Sequence, residues 1–99
     1  WLFCLFDLPT NTKRQRKHAA EFRKKLIEDG FDMMQFSVYK RFCGSSELAK
    51  FMQSEYGNAA HEGTVSILRF TDKQFGDIET FVGILPKKQE KAPSQLEFF

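Results

Sequence analysis

Two groups of residues near the start of this 99-residue chain have the types and placing to do chemistry. The first is one carboxylate, Asp7, which follows the unbroken apolar run Trp1-Leu2-Phe3-Cys4-Leu5-Phe6 and precedes Leu8-Pro9. The second is the cluster Lys13, Arg14, Arg16 and Lys17. A hard divalent cation such as Mg²⁺ needs only one or two carboxylates, the rest of its shell coming from water and phosphate oxygens. A guanidinium can donate two parallel hydrogen bonds to one phosphate. Each group also has a plain reading. Asp7 could cap the turn from Pro9 to Thr12, and a run of charge is commonly a solvated helix face. One carboxylate per chain is too few for a metal site. A two-fold dimer that brought two Asp7 side chains together would supply the second, and would raise one carboxyl pKa unless a cation lay between them.

Charge distribution favours a polyanion. Residues 13–25 hold seven cations against Glu21 alone, a local charge of +6, whereas the chain as a whole carries +2. A basic face on a mildly acidic body suits phosphate backbones. Other chemistries find little support. There is no Ser-His-Asp or Cys-His arrangement and no Gly-rich phosphate loop, and His18 and His61 stand apart as ordinary surface residues. Cys4 and Cys43 form no CxxC pair, so buried, reduced thiols of a cytosolic protein are expected. No apolar stretch approaches the ~20 residues of a membrane span, and no basic, apolar leader of the secretory kind opens the chain. A cytoplasmic location is the expectation. Twelve Phe exceed what one small core readily buries, which points to a homo-oligomer.

The positioning elements follow from local signals. The apolar run bounded by a turn reads as a strand buried on both faces, with Asp7 at its exit. Thr12 and Gln15 form a capping box that starts a helix near residue 13. Its stripe is Ala19, Phe22 and Leu26, its expected ion pairs are Glu21–Lys25 and Lys24–Glu28, and Gly30 ends it. Residues 31–43 are rich in β-formers but too long for one strand, so a bend near Gln35-Phe36-Ser37 should divide them. Gly44-Ser45-Ser46 opens a second helix with Leu48, Phe51 and Met52 inward, ending near Gly57. After a loop over 58–63 comes a strand, 64–71, with Val65 and Ile67 on one face and Leu68 and Phe70 on the other. A short helix is expected over Asp72–Gly83 with Phe75, Ile78, Phe81 and Val82 inward. The domain is thus residues 1–85, residues 86–94 are a polar linker, and Gln95-Leu96-Glu97-Phe98-Phe99 is a short strand that must join an existing edge. Helices alternating with strands give an α/β sandwich, ferredoxin-like βαββαβ with an extra C-terminal strand.

The motifs Phe6-Asp7-Leu8-Pro9-Thr10, Phe22-Arg23-Lys24-Lys25-Leu26, Gly30-Phe31 and Met34-Gln35-Phe36-Ser37-Val38-Tyr39 resemble those of the small CRISPR-associated adaptation protein. Gly63-Thr64-Val65, Lys73-Gln74-Phe75 and the closing Gln95–Phe99 resemble members found with type II systems. The resemblance covers essentially the whole chain. It implies a homodimer in which first-strand aspartates, here Asp7, face each other and can hold one Mg²⁺ or Mn²⁺. It implies nucleic-acid contact by Arg14 and Arg16, an interface near Ser37, and a C-terminal strand whose Gln95, Leu96 and Phe98 cross to the partner. The partners it implies are the CRISPR integrase and duplex DNA, or RNA. The aromatic before the aspartate is often Tyr in that family; Phe6 lacks the hydroxyl, which would weaken any hydrolysis a phenol assists.

Three functions compete on this reading. One is a dimeric scaffold that binds duplex DNA between integrase dimers during spacer acquisition. Another is a metal-dependent endonuclease of RNA or double-stranded DNA, with paired Asp7 as catalytic and metal-binding residue. The third is a regulatory or toxin-like RNA-binding dimer.

Overall fold

The computed structural model describes residues 1–57 and 62–83, with the backbone of 85–86. The element order is β1 (Leu2–Asp7), α1 (Lys13–Glu28), β2 (Asp32–Gln35), β3 (Val38–Arg41), α2 (Ser46–Gly57), β4 (Thr64–Arg69), α3 (Asp72–Gly76), β5 (Phe81–Val82) and β6 (Leu85–Pro86). The first four strands form one antiparallel sheet in the order β2-β3-β1-β4. This is the ferredoxin-like arrangement expected from the alternation of elements. β1 lies centrally, with Leu2 opposite both Arg41 and Arg69. Of the linker and terminal strand expected beyond residue 85, only the backbone of Pro86 is described, where it pairs with Phe81.

The ends of α1 are set by local chemistry. Gln15 Oε1 accepts from the amides of Asn11 and Thr12, each at 3.0 Å, and the Gln15 amide donates to Thr12 Oγ1 at 3.1 Å. At the other end Gly30 adopts φ +93°, its N–H donates to Ile27, and the Phe31 N–H reaches back to Leu26. That pair of bonds is a Schellman motif, which only a residue at ease in the left-handed region closes without strain. Ala19, Phe22 and Leu26 are buried as expected. Lys24 pairs with Glu28 at 3.8 Å, but Lys25 pairs with Asp29 at 3.6 Å rather than with Glu21. The Tyr56 hydroxyl donates to the same Asp29 carboxylate.

Two apolar layers flank the sheet. Leu2, Cys4 and Phe6 of β1 face both long helices and pack with Phe22, Leu26, Phe31, Tyr39, Ala49 and Tyr56. On the other side, Trp1 and Phe3 pack with Phe75 of α3, and Met34, Val38, Phe42, Phe70 and Ile78 lean on them. The Trp1 and Phe75 rings are stacked at 3.8 Å. Short α3 covers only one end of this second face, so β1 is buried on both faces there, while Leu5 and Asp7 are exposed at the other end.

Two further expectations need correction. α2 is rotated from the expected stripe: Ala49 and Tyr56 are buried, Met52 is half-buried, and Leu48 and Phe51 are exposed. A small residue turned inward lets the helix approach the sheet, and the Gln53 amide then reaches the Ile67 carbonyl of β4 at 3.0 Å. α3 stops at Gly76 because Asp77 caps it, and Phe81 and Val82 lie exposed in β5 rather than inward on a helix.

Candidate functional site

Asp7 is the last residue of β1, opposite Thr64 of β4. Side chains alternate along a strand, so Asp7 shares the open face of the sheet with Phe3 and Leu5, away from the long helices. It is exposed, and among the described residues its carboxylate makes no hydrogen bond or ion pair. The turn-cap reading therefore loses its support. The Thr12–Gln15 box organises that turn, and Arg16 Nη1 donates to the carbonyls of Thr10 at 3.1 Å and Asn11 at 3.4 Å. Phe6 points the other way, its ring 5.2 Å from Phe22 and 5.6 Å from Tyr39. A Tyr in its place would carry its hydroxyl on the helix side, not beside Asp7.

The backbone around Asp7 is held from both flanks. On the β3 side, the Phe6 N–H donates to the Ser37 carbonyl at 3.0 Å. Ser37 occupies the left-handed region at φ +62°, a strained setting for a residue with a Cβ, and its neighbour Phe36 is 92% exposed. On the β4 side, Gly63 lies at φ +86° so close to the strand exit that a Cβ there would overlap the Asp7 carbonyl oxygen. The same Cβ would come within 3.0 Å of Leu8 Cα and Pro9 Cδ. The adjoining Glu62 accepts a 3.0 Å hydrogen bond from Gln15 Nε2.

The described residues contain no group of three or more His, Cys, Asp or Glu able to hold a metal. Among the described residues Asp7 is thus a lone carboxylate at this strand end, a hard oxygen donor of the type Mg²⁺ or Mn²⁺ takes rather than the N/S donor set typical of zinc. Cys4 is fully buried, and burial pushes its thiol up to about 12, as befits a core side chain. Cys43 is half-buried, 4.0 Å from Met52 Sδ, and neither cysteine is in a disulfide.

Lys13, Arg14 and Lys17 are exposed on the first turns of α1, with no carboxylate among the described residues within ion-pair distance. That turn contains no acid. Cations beside a helix N-terminus oppose its dipole, at about 0.3–1 kcal/mol each, so the helix is locally less stable than its position allows. The same arrangement concentrates positive potential where backbone amides already attract anions. Arg16 shares the cluster but is tied to the turn. Ser37 lies at the turn beside β1; Gln95, Leu96, Phe98 and His61 fall outside the described residues. Sequence reasoning missed Gly63 as a neighbour of Asp7 and Glu62 as a partner of Gln15. A glycine just ahead of a strand was the available signal, but only the pairing of β1 with β4 shows what it approaches.

Comparison with known proteins accords with this geometry. The family described as CRISPR associated protein Cas2 matches residues 1–78. A CRISPR-associated endoribonuclease Cas2 of Flavobacterium psychrophilum is 48% identical, the alignment covering 100% of this chain and 87% of that protein. The protein of the same name in Parvibaculum lavamentivorans is 46% identical, covering 100% and 99%. A third, in Paracidovorax avenae, is 41% identical, covering 100% and 93%. With the sheet order, Asp7 at its strand end and the basic helix start in place, the chain belongs to the Cas2 family of CRISPR-associated proteins.

Proposed function

We propose that this protein is a component of CRISPR adaptation that binds duplex DNA as a homodimer seated between integrase dimers. The observation that carries this reading is the first two turns of α1, where Lys13, Arg14 and Lys17 are exposed and unpaired among the described residues against the helix's own dipole. Nothing there is shaped to read base edges, so binding should be independent of sequence. The dimer draws support from Leu5 and Leu68, exposed on the open sheet face, and from Phe36 at the adjoining turn. A second copy on that face would bury them and bring two Asp7 residues together. The test is the salt dependence of duplex binding. Each phosphate contact contributes ~0.9 to the slope of log K against log salt. The triple variant Lys13→Ala, Arg14→Ala, Lys17→Ala should flatten that slope by about 2–3; an unchanged slope would show that the helix face is only solvated. Arg16 is left out because its loss would also loosen the Thr10–Asn11 turn.

A second reading, metal-dependent endonuclease activity on RNA or duplex DNA, is favoured by the exposed Asp7 carboxylate and by the name its relatives carry. One Mg²⁺ or Mn²⁺ per dimer, held by the two Asp7 side chains, would supply charge neutralisation at the phosphate and a water of lowered pKa. Asp7 itself would contribute carboxylate oxygen donors from a strand end whose backbone is flanked by Ser37 and Gly63. Cleavage should vanish on chelation and in Asp7→Asn, and cleavage persisting in a clean Asp7→Asn preparation would overturn this reading. Integration of a protospacer by the reconstituted complex with Asp7→Ala separates the two functions, since the scaffold role requires no carboxylate.

A further inference from the structure

We infer that Gly63 is a positioning residue for the Asp7 carboxylate, with Glu62 as the latch that holds Gly63 in place. The inference rests on the metal-binding reading of Asp7 and adds residues outside the carboxylate pair.

Three observations meet at this point. Gly63 sits at φ +86°, and a side chain there would overlap the Asp7 carbonyl oxygen and crowd Leu8 and Pro9. The approach is made by backbone against backbone, which cannot yield as the end of a flexible side chain would. Glu62 is bonded to Gln15 Nε2 at 3.0 Å, while Gln15 Oε1 is already engaged by Asn11 and Thr12. The loop ahead of β4 is therefore fastened to the start of α1, and through Gly63 it presses on the exit of β1. Asp7 has no described side-chain partner to aim its carboxylate, so the backbone path is what sets its Cβ and with it the region the carboxylate can reach. Ser37 fixes the path on one side by accepting from Phe6; Gly63 fixes it on the other.

Gly63→Ala would displace the Asp7–Pro9 backbone while leaving the α1 cations untouched. Loss of a supporting neighbour of this kind typically weakens metal binding about ten- to a hundredfold. The expected result for Gly63→Ala is thus a rise in the Mn²⁺ dissociation constant of at least about tenfold, read by electron paramagnetic resonance on the full chain. Its affinity for a random-sequence DNA duplex in chelator should stay at the wild-type value. Gly83→Ala is the control for backbone strain, since Gly83 also has positive φ (+65°) but nothing among the described residues within 4 Å of an added Cβ; it should bind Mn²⁺ like wild type. Glu62→Ala introduces no clash and keeps the test alive if Gly63→Ala does not fold; it should weaken Mn²⁺ binding severalfold. Asp7→Asn distinguishes the two levels of the argument. If it binds Mn²⁺ as wild type does, the metal reading itself fails. If it loses Mn²⁺ while Gly63→Ala and Glu62→Ala retain wild-type affinity, the positioning role is overturned. Parallel loss of Mn²⁺ and duplex affinity in Gly63→Ala would likewise overturn it, as general damage rather than positioning.

Discussion

The two ends of β1 are built for different purposes. At the end near Trp1 the strand is buried on both faces, by the long helices below and by α3 with Phe75 above. At the Asp7 end the helix side stays closed, with Phe6 against Phe22 and Tyr39, while the upper face is open. Six consecutive residues thus divide into a half that stabilises the fold and a half that presents a carboxylate from a rigid platform. An α3 only five residues long makes the difference.

The largest expected effect breaks the closed end. Phe75→Ala should cost about 3–5 kcal/mol by opening a cavity beneath Trp1 and Phe3, measured as a fall in the urea midpoint. A cost below about 1 kcal/mol would mean that α3 is an ornament rather than a lid. A smaller effect tests the helix side of the sheet by pH. Burial raises Cys4 from 9.0 to about 12. It also raises Tyr56 from its ordinary 10.0, with the hydrogen bond to Asp29 adding to the shift. Both groups are neutral in the fold and ionise more readily when unfolded. Their contribution is complete below about pH 9 and is lost as pH climbs toward 12. Stability should therefore decline steadily above pH 9. Tyr56→Phe should flatten the part of the decline above pH 10 while lowering stability at pH 7 by about 1 kcal/mol. An alkaline decline unaffected by this change would place the titrating group elsewhere. The smallest effect belongs to the open end, where Asp7→Asn should alter stability by no more than about 0.5 kcal/mol. A loss above about 2 kcal/mol would restore Asp7 as a structural cap.

What could be read from the sequence followed how local the signal was. The Thr12–Gln15 box, Gly30 as a helix stop and the break before Ser37 are decided within a few residues, and the structure keeps all three. Thr71 and Gln74 repeat the same box, with Gln74 N donating to Thr71 Oγ1 at 3.1 Å. The apolar spacing of Phe75, Ile78, Phe81 and Val82 suggested a longer helix, and the stop at Asp77 overrode it. The facing of α2 was not legible, because Leu48, Phe51 and Met52 mimic an inward stripe. Tertiary partners decide the matter: Ala49 allows close approach, and Tyr56 reaches Asp29 across the helix pair. Asp7 and the α1 cations stood out by residue type. Gly63 did not, because its role is a contact between segments more than fifty residues apart in sequence.

The central place of β1 also has a consequence for how the chain is made. Leu2 pairs with Arg41 on one side and Arg69 on the other, so β1, made before either of its neighbours, is among the last strands to be fully seated. At ribosomal rates of ~5–20 residues per second, the interval before β4 exists is several seconds. Throughout it the segment Trp1–Phe6 remains an apolar ribbon with at least one open edge, the kind of sequence that associates with other chains. Newly made copies are thus most vulnerable in the strand that later carries Asp7, and crowded synthesis should lower the yield of folded protein more than the finished domain's stability would suggest.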